Sequence, residues 1–523
     1  GEKPPGSDTG DEQRAIDVSK KLQKNLDSLR TMFGNSPDLT VHRFRFGPDN
    51  RLSGAMIYID GMVNSLILTE AILRPLTDWR PQDGSLPSGM DLLAALEQEV
   101  LCSGEIAVVK TLQELAAGCL SGDTVLLVDG CPGGIVVNTK GWEKRNVTEP
   151  KSETVIRGPR EGFTENLRTN TALIRRKIRN KQLRVIYMTV GRKTQTAVNL
   201  MYLEGVANLK VLETVKYRID RLDVDSILES GYIEEYIEDA PFSPFSTVGY
   251  SEKPDVVAAR ILEGRVAIVV DGTPFVLTAP LLFIENFQTA EDYYERSLYV
   301  SMVRLLRYIA YLITIFAPAV FIILTVFHQE LIPTTLLFTI ANAREGTPFP
   351  AFVEAMIMVL AFELLREAGI RLPRPVGQAI SIVGALIMGD AAVSAGLVGA
   401  PMVITVAVTA VAGFLVPTEN DSASILRMIM MILAAFVGFY GVAMGFLAML
   451  IHLATLESFG VPYFESIVSA RDMQDTFVGM PLWSMVKRPK ALTHDDSTRH
   501  RFFVPPLRPY ARQDDDSPEG EKQ

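Results

Sequence analysis

The sequence predicts an α/β (or α+β) cytoplasmic domain of two subdomains, followed by a polytopic α-helical membrane domain. Three observations carry this prediction. First, the averages of 48% apolar residues and net charge −10 over 523 residues conceal a shift near residue 305, after which uncharged runs dominate as far as Leu456. Second, three β-prone runs in the first part each end in Asp-Gly. Third, uncharged stretches in the second part are long enough to cross a bilayer.

Residues 1–24 read as a polar tail, with Pro, Gly and charge concentrated in Gly1–Ala15, a composition that cannot bury a core. Residues 25–145 and 146–304 form the two subdomains, dividing near Gly141–Val155. The Asp-Gly runs are Ala55–Gly61, Thr124–Gly130 and Val266–Gly272. Asp-Gly between β-prone runs predicts hairpins, because both residues tolerate positive φ. Its recurrence at turns argues against catalytic or metal-binding roles for these aspartates. Met90–Glu99 and Thr164–Arg179 read as helices, and Leu183–Val190 and Leu209–Lys216 as further strands. Cys102, Cys119 and Cys131 fit no zinc spacing and read as buried thiols in a reducing compartment.

Arg157–Arg184 holds nine Lys/Arg against two Glu, including Arg175, Arg176, Lys177 and Arg179. Nucleic-acid binding is disfavoured, because aromatic interleaving is absent and the whole chain is acidic. The alternatives are contact with anionic lipid headgroups or an acidic partner, or a solvated helix face.

In the membrane part (305–457), Tyr308–Phe327 is 20 residues without a charge. At 1.5 Å per residue it reaches about 30 Å. Val376–Thr418 carries one charge, Asp390, and a break at Gly399-Ala400-Pro401, which suits two spans. Met428–Leu456 reads as one more. Ala351–Leu365, with Glu354 and Glu363, reads as a span inside the bundle or as a re-entrant or interfacial helix. Arg304 and Arg307 place the N-terminal side in the cytoplasm, and Lys487, Arg488 and Lys490 place the C-terminal segment (458–523) there too. The positions of Arg366, Arg371 and Arg374 conflict with the four crossings this implies.

Only His42 occurs as a histidine before residue 305, and no phosphate loop or dinucleotide fingerprint appears. The chain therefore does not read as an enzyme, and no cofactor or metal is expected.

Several peptides carry a family resemblance: Arg157–Phe163, Phe327–Pro333, Pro348–Ala355, Ser458–Tyr463 and, most tellingly, Leu364-Leu365-Arg366-Glu367-Ala368-Gly369-Ile370-Arg371-Leu372-Pro373-Arg374-Pro375-Val376-Gly377-Gln378. Over roughly residues 25–490 the chain resembles the A subunit of GerA-type nutrient germinant receptors of endospore-forming bacteria. A paralogue, stage V sporulation protein AF, shares the architecture. The resemblance implies a role in germination at the inner spore membrane, beside a permease-like B subunit that binds the germinant and a lipoprotein C subunit. It also implies a homo-oligomeric ring, of about five copies, around an ion pore.

The residues themselves suggest where such a pore would lie. A mid-span Asp costs ~2.5–3.5 kcal/mol on insertion scales and so normally faces water or protein. Asp390 is thus a pore candidate, with Val393 or Leu397 as apolar gate, and a ring of Asp favours cations. The alternative is that Asp390 caps a helix break after Gly389. Glu363 and Arg366 are three apart and can pair on a helix. With Glu354, Arg371 and Arg374 they form a candidate coupling or packing set. A non-conducting scaffold and a solute transporter are the competing functions, but the inverted repeats a transporter predicts are not visible in Leu305–Leu456.

Overall fold

The computed structural model describes residues 16–81, 86–101, 103, 105–141, 150, 153, 155–371, 389–465, 475–485, 488, 492 and 498. Arg374 and most of the Gly141–Val155 division lie outside them.

Helix α1 (Leu22–Met32) opens the first unit. Ahead of it, residues 16–24, assigned by composition to the tail, already pack: the Val18 N–H donates to the Lys110 carbonyl at 2.9 Å. Strands β1 (Leu39–Phe46), β2 (Leu52–Ile59), β3 (Ile106–Val109), β4 (Thr124–Val128) and β5 (Gly134–Val137) form an antiparallel sheet in the order β1-β2-β4-β5-β3. Helix α2 (Leu112–Ser121) sits before β4, with Thr111 and Glu114 closing a capping box.

The second unit repeats this plan. Strands β6 (Leu183–Val190), β7 (Thr196–Leu203), β8 (Gly249–Ser251), β9 (Val266–Val270) and β10 (Val276–Ala279) take the order β6-β7-β9-β10-β8, the same order with equivalent strands. Helices α3 (Leu167–Lys177), α4 (Leu209–Asp220) and α5 (Pro254–Leu262) accompany them. Local sequence repeats as well. Ile59-Asp60-Gly61-Met62-Val63-Asn64 matches Leu203-Glu204-Gly205-Val206-Ala207-Asn208, and in each the Asn side chain caps the next helix. Asp129 accepts from the Leu22 N–H at 2.9 Å, and Asp271 accepts from the Leu167 N–H at 3.0 Å. Two corresponding turn aspartates thus each hold the first residue of a helix. Gly130 and Gly272 follow them at φ +85° and +92°, where a Cβ would be strained.

Two expectations change here. Asp60-Gly61 is not a hairpin turn: β2 ends at Ile59 and the chain enters a helix capped by Asn64. Leu209–Lys216 is helix, not strand. Val211, Leu212, Val215 and Ile219 line one buried face at helical spacing. Cys119 and Cys131 are buried free thiols, pushed by burial up to about 12 and about 11.

The second half is helical: α6 (Ser297–Val326), α7 (Thr334–Arg344), α8 (Ala351–Arg371), α9 (Ala400–Gly413), α10 (Asn420–Val437) and α11 (Phe439–Thr455). Ser297–Val326 and Pro417–Val437 are long and apolar enough to cross a membrane, whereas α9 and α11 are apolar but shorter. Met428–Leu456 is not one straight helix. Gly438 adopts φ +66°, and a Cβ at Gly441 would lie 2.6 Å from the Leu433 carbonyl oxygen. In a straight helix those residues would be about 12 Å apart, so α10 and α11 form a tight hairpin. Phe245, Phe283, Phe287, Tyr311 and Tyr463 share one buried cluster with these helices, which joins the two halves.

Candidate functional site

The pore candidates sit on a helical segment beginning in the described residues at Gly389 and ending at Ser394. It stops because Gly396 turns left-handed at φ +66°, with the Gly396 and Leu397 amides returning to Val393 and Ala392. The helix therefore ends just before Gly396, which lies six residues after Asp390. Asp390 itself is helical, while the residues before Gly389, which bear on the alternative of a break there, lie outside the described ones. Asp390 is exposed, Val393 is 36% exposed and Leu397 47%. Val398 is buried, and Pro401 opens α9. This segment therefore presents one carboxylate and two apolar side chains outward from the subunit.

What holds that turn is Glu354, fully buried in the first turn of α8. Its carboxylate accepts from the Arg344 guanidinium at 3.2 Å, from the Thr347 hydroxyl at 3.1 Å and from the Gly399 N–H at 3.3 Å. One side chain thereby ties the end of α7, the start of α8 and the entry to α9. Buried carboxylates need such full satisfaction.

Glu363 pairs with Arg366 at 2.7 Å, as the spacing predicts, and also with Arg427 of α10. Arg427 is 3% exposed on its side chain. The sequence analysis missed it, although an arginine in the apolar run Ser424–Met431 was a legible signal. Arg371 donates to Glu367 at 2.8 Å on the exposed side of α8.

At the junction of the halves, Asp292 accepts from Arg304 at 2.9 Å and from Arg307 at 2.9 Å. Asp475 returns from the C-terminal segment to meet Arg304 at 2.8 Å and the Tyr293 hydroxyl at 2.9 Å. Burial raises the Asp475 carboxyl, and Arg304 opposes that rise. Asn286 donates to both Glu419 and Tyr463, linking the α/β half, the start of α10 and the segment after α11. Arg304 and Arg307, read from sequence as flanking charges, are interior ion-pair partners.

The basic helix divides differently from its sequence reading. Arg175 is 1% exposed and pairs with Asp38 at 2.8 Å, so it bridges the two repeats and is not presented to a lipid surface. Arg176 and Lys177 both meet Glu161, at 3.2 and 3.5 Å. Arg179 is exposed just beyond α3. Beside this bridge lies a cleft of about 880 Å³, lined among others by Thr40, His42, Tyr58, Asp60, Asn64 and Arg168. Arg168 and Asp60 pair across it at 2.9 Å. Donors, acceptors and both signs of charge could hold a small polar solute there.

A sequence model of the Bacillus/Clostridium GerA spore germination protein family matches residues 27–491. The chain is 43% identical to spore germination protein KA of Bacillus subtilis over 94% of its own length and 90% of that protein. It is also 43% identical to the uncharacterized membrane protein YfkQ of the same organism, over 90% of this chain and 91% of the other. The crystal structure of the N-terminal domain of the A subunit of the Bacillus megaterium spore germinant receptor GerK3 is 35% identical, covers 52% of this chain and 99% of its own, and superposes with a TM-score of 0.41. The sequence resemblance and the family match over 27–491 agree in extent: this chain belongs to the GerA family of spore germination proteins.

Proposed function

We propose that the chain is the membrane subunit of a nutrient germinant receptor, and that it oligomerises into an ion channel opened by a partner nutrient-sensing subunit. The helical half spans the inner spore membrane, with the duplicated α/β domain on the cytoplasmic side. A permease-like B subunit and a lipoprotein C subunit complete the receptor. The observation that carries the channel reading is the outward presentation of Asp390, Val393 and Leu397. In a water-filled ring Asp390 would attract cations, and the two apolar residues would close the path by dewetting.

Light scattering of the chain in mild detergent, corrected for bound detergent, tests the ring first. About five copies are expected, and a monomer or dimer that persists beside the partner subunits would defeat the ring. In planar bilayers, Asp390→Asn then lowers cation selectivity and Val393→Ser raises basal current. Unchanged ion flux in both variants, with the oligomer intact, would favour a packing scaffold. That alternative draws on α7, which has no buried residue although Leu336 and Phe338 are apolar.

A further inference from the structure

One short loop at the junction of the two halves exposes an aromatic side chain that none of the described residues covers. In Ala240–Phe245, Pro241 sits second in a turn closed by the Ser243 N–H on the Ala240 carbonyl at 2.9 Å, the position whose φ proline presets. Pro244 follows. The Ser243 hydroxyl lies 2.8 Å from His452 Nε2, near the end of α11, and also receives the Phe245 N–H at 3.1 Å. Phe245 is buried against the His452 ring and, edge-on at 5.9 Å, against Phe283. Phe283 in turn lies 6.3 Å from Tyr311, in the first turn of the uncharged stretch Tyr308–Phe327. The loop is therefore anchored beside the end of α11 and, through Phe283, close to the place where the charge-free part of α6 begins. Between these anchors Phe242 is fully exposed, at 101%.

We propose that Phe242 is a lipid anchor, inserting into the headgroup–acyl boundary of the leaflet beside the soluble half. This rests on the reading that the helical half crosses a bilayer. An exposed Phe in water carries a hydration cost, and the contacts on both sides of it hold the loop where it is. At the boundary between headgroups and acyl chains the same ring would be buried in lipid, as Trp, Phe and Leu are on interfacial segments. The anchor would fix the height of the α/β domain over the membrane, so that movement within that domain is transmitted to α11 through Ser243 and His452.

The test is nitroxide labelling of the full chain, carrying Cys102→Ser and reconstituted in vesicles of phosphatidylcholine and phosphatidylglycerol. Cys119 and Cys131 are buried and stay unlabelled. Phe242→Cys is compared with Leu447→Cys on α11 and Tyr187→Cys on β6, both exposed positions. Oxygen enriches in lipid and a nickel chelate stays in water. The expected result is an oxygen-to-chelate collision ratio at 242 several times that at 187. A ratio at 242 equal to that at 187, with 447 in lipid, places the loop in water and overturns the anchor alone. Low collisions with both reagents at 242 mean coverage by a second copy or another protein, and overturn it too. Chelate access at 447 would overturn the membrane reading together with the proposal.

Discussion

Glu363 and Arg427 form an ion pair between α8 and α10, 64 residues apart in sequence, and the Arg427 side chain is 3% exposed. Arg366 and Ser424 share the same carboxylate. This polar knot joins α8 and α10 inside the helical half. Removing one partner strands a charge, and buried pairs broken that way typically cost about 3–5 kcal/mol. Glu363→Ala should therefore lower stability by about 3 kcal/mol, the lower figure because Glu363 is a quarter exposed. Thermal unfolding in detergent reads the loss. Glu363→Leu with Arg427→Leu should recover most of it, and no recovery would mean that the pair does more than neutralise charge.

A second pair joins the two repeats. Arg175 reaches Asp38 through two nitrogens, at 2.8 and 3.1 Å, and Ser36 at 3.2 Å. Arg175→Lys keeps the charge but loses the two-pronged geometry. It should destabilise the chain by about 1–2 kcal/mol, against about 3 kcal/mol for Arg175→Ala. Hydrogen exchange should show the loss in β1 and α3 before either sheet opens. Equal melting of the two variants would show that the retained charge contributes nothing without the two-pronged geometry.

Stability should also depend on Glu234, whose carboxyl burial raises to about 7 although Ser246 hydrogen-bonds it. The unfolded carboxyl titrates near 4.5. Between pH 4.5 and 7 the folded chain holds a proton that the unfolded chain has released, so this group's contribution is full below 4.5 and falls as pH rises to 7. At 1.36 kcal/mol per pH unit the fall amounts to about 3 kcal/mol. Glu234→Gln should flatten the melting temperature over that window. An unaltered slope would assign it to other carboxyls, with Glu238 and Glu153 also raised by burial.

Gly438 carries the α10–α11 reversal at φ +66°, with the Phe327 ring 3.1 Å from where its Cβ would stand. Gly438→Ala should cost about 1–3 kcal/mol from the positive-φ backbone alone, plus the displacement of Phe327. Gly460, also at positive φ but with open space around it, is the control: Gly460→Ala should cost the backbone term only. Equal losses at both sites would remove the Phe327 contact from the account.

Glu354 fixes the turn that follows the Asp390 helix. Glu354→Ala frees Arg344 and the Gly399 N–H together, and should raise basal ion leakage in reconstituted vesicles relative to the parent. Glu354→Gln keeps an acceptor and should leak less. Leakage unchanged in both, with the protein folded, would separate the latch from conduction.

Much of this protein follows from local sequence. The composition shift near residue 305, the Asp-Gly turns at 129–130 and 271–272, and the helix pairing of Glu363 with Arg366 depend on neighbouring residues, because φ preferences and i,i+3 spacing are local. The motifs around Arg366–Gln378 were enough to indicate the family. Tertiary structure decided the rest. The shared strand order of the two sheets, the burial of Arg175, the Glu363–Arg427 pair and the grip of Glu354 on Gly399 all join residues far apart in sequence. Asp-Gly after β2 looked like the other two turns, yet Asn64 two residues beyond Met62 captured the backbone for a helix. Gly438 lies in a long apolar run, so the reversal shows only in the tertiary structure, in its positive φ and in the packing of Leu433 against Gly441 and Gly445. Local preferences set the turns and helices, whereas long-range packing chose their partners, since burial free energy depends on which surfaces meet.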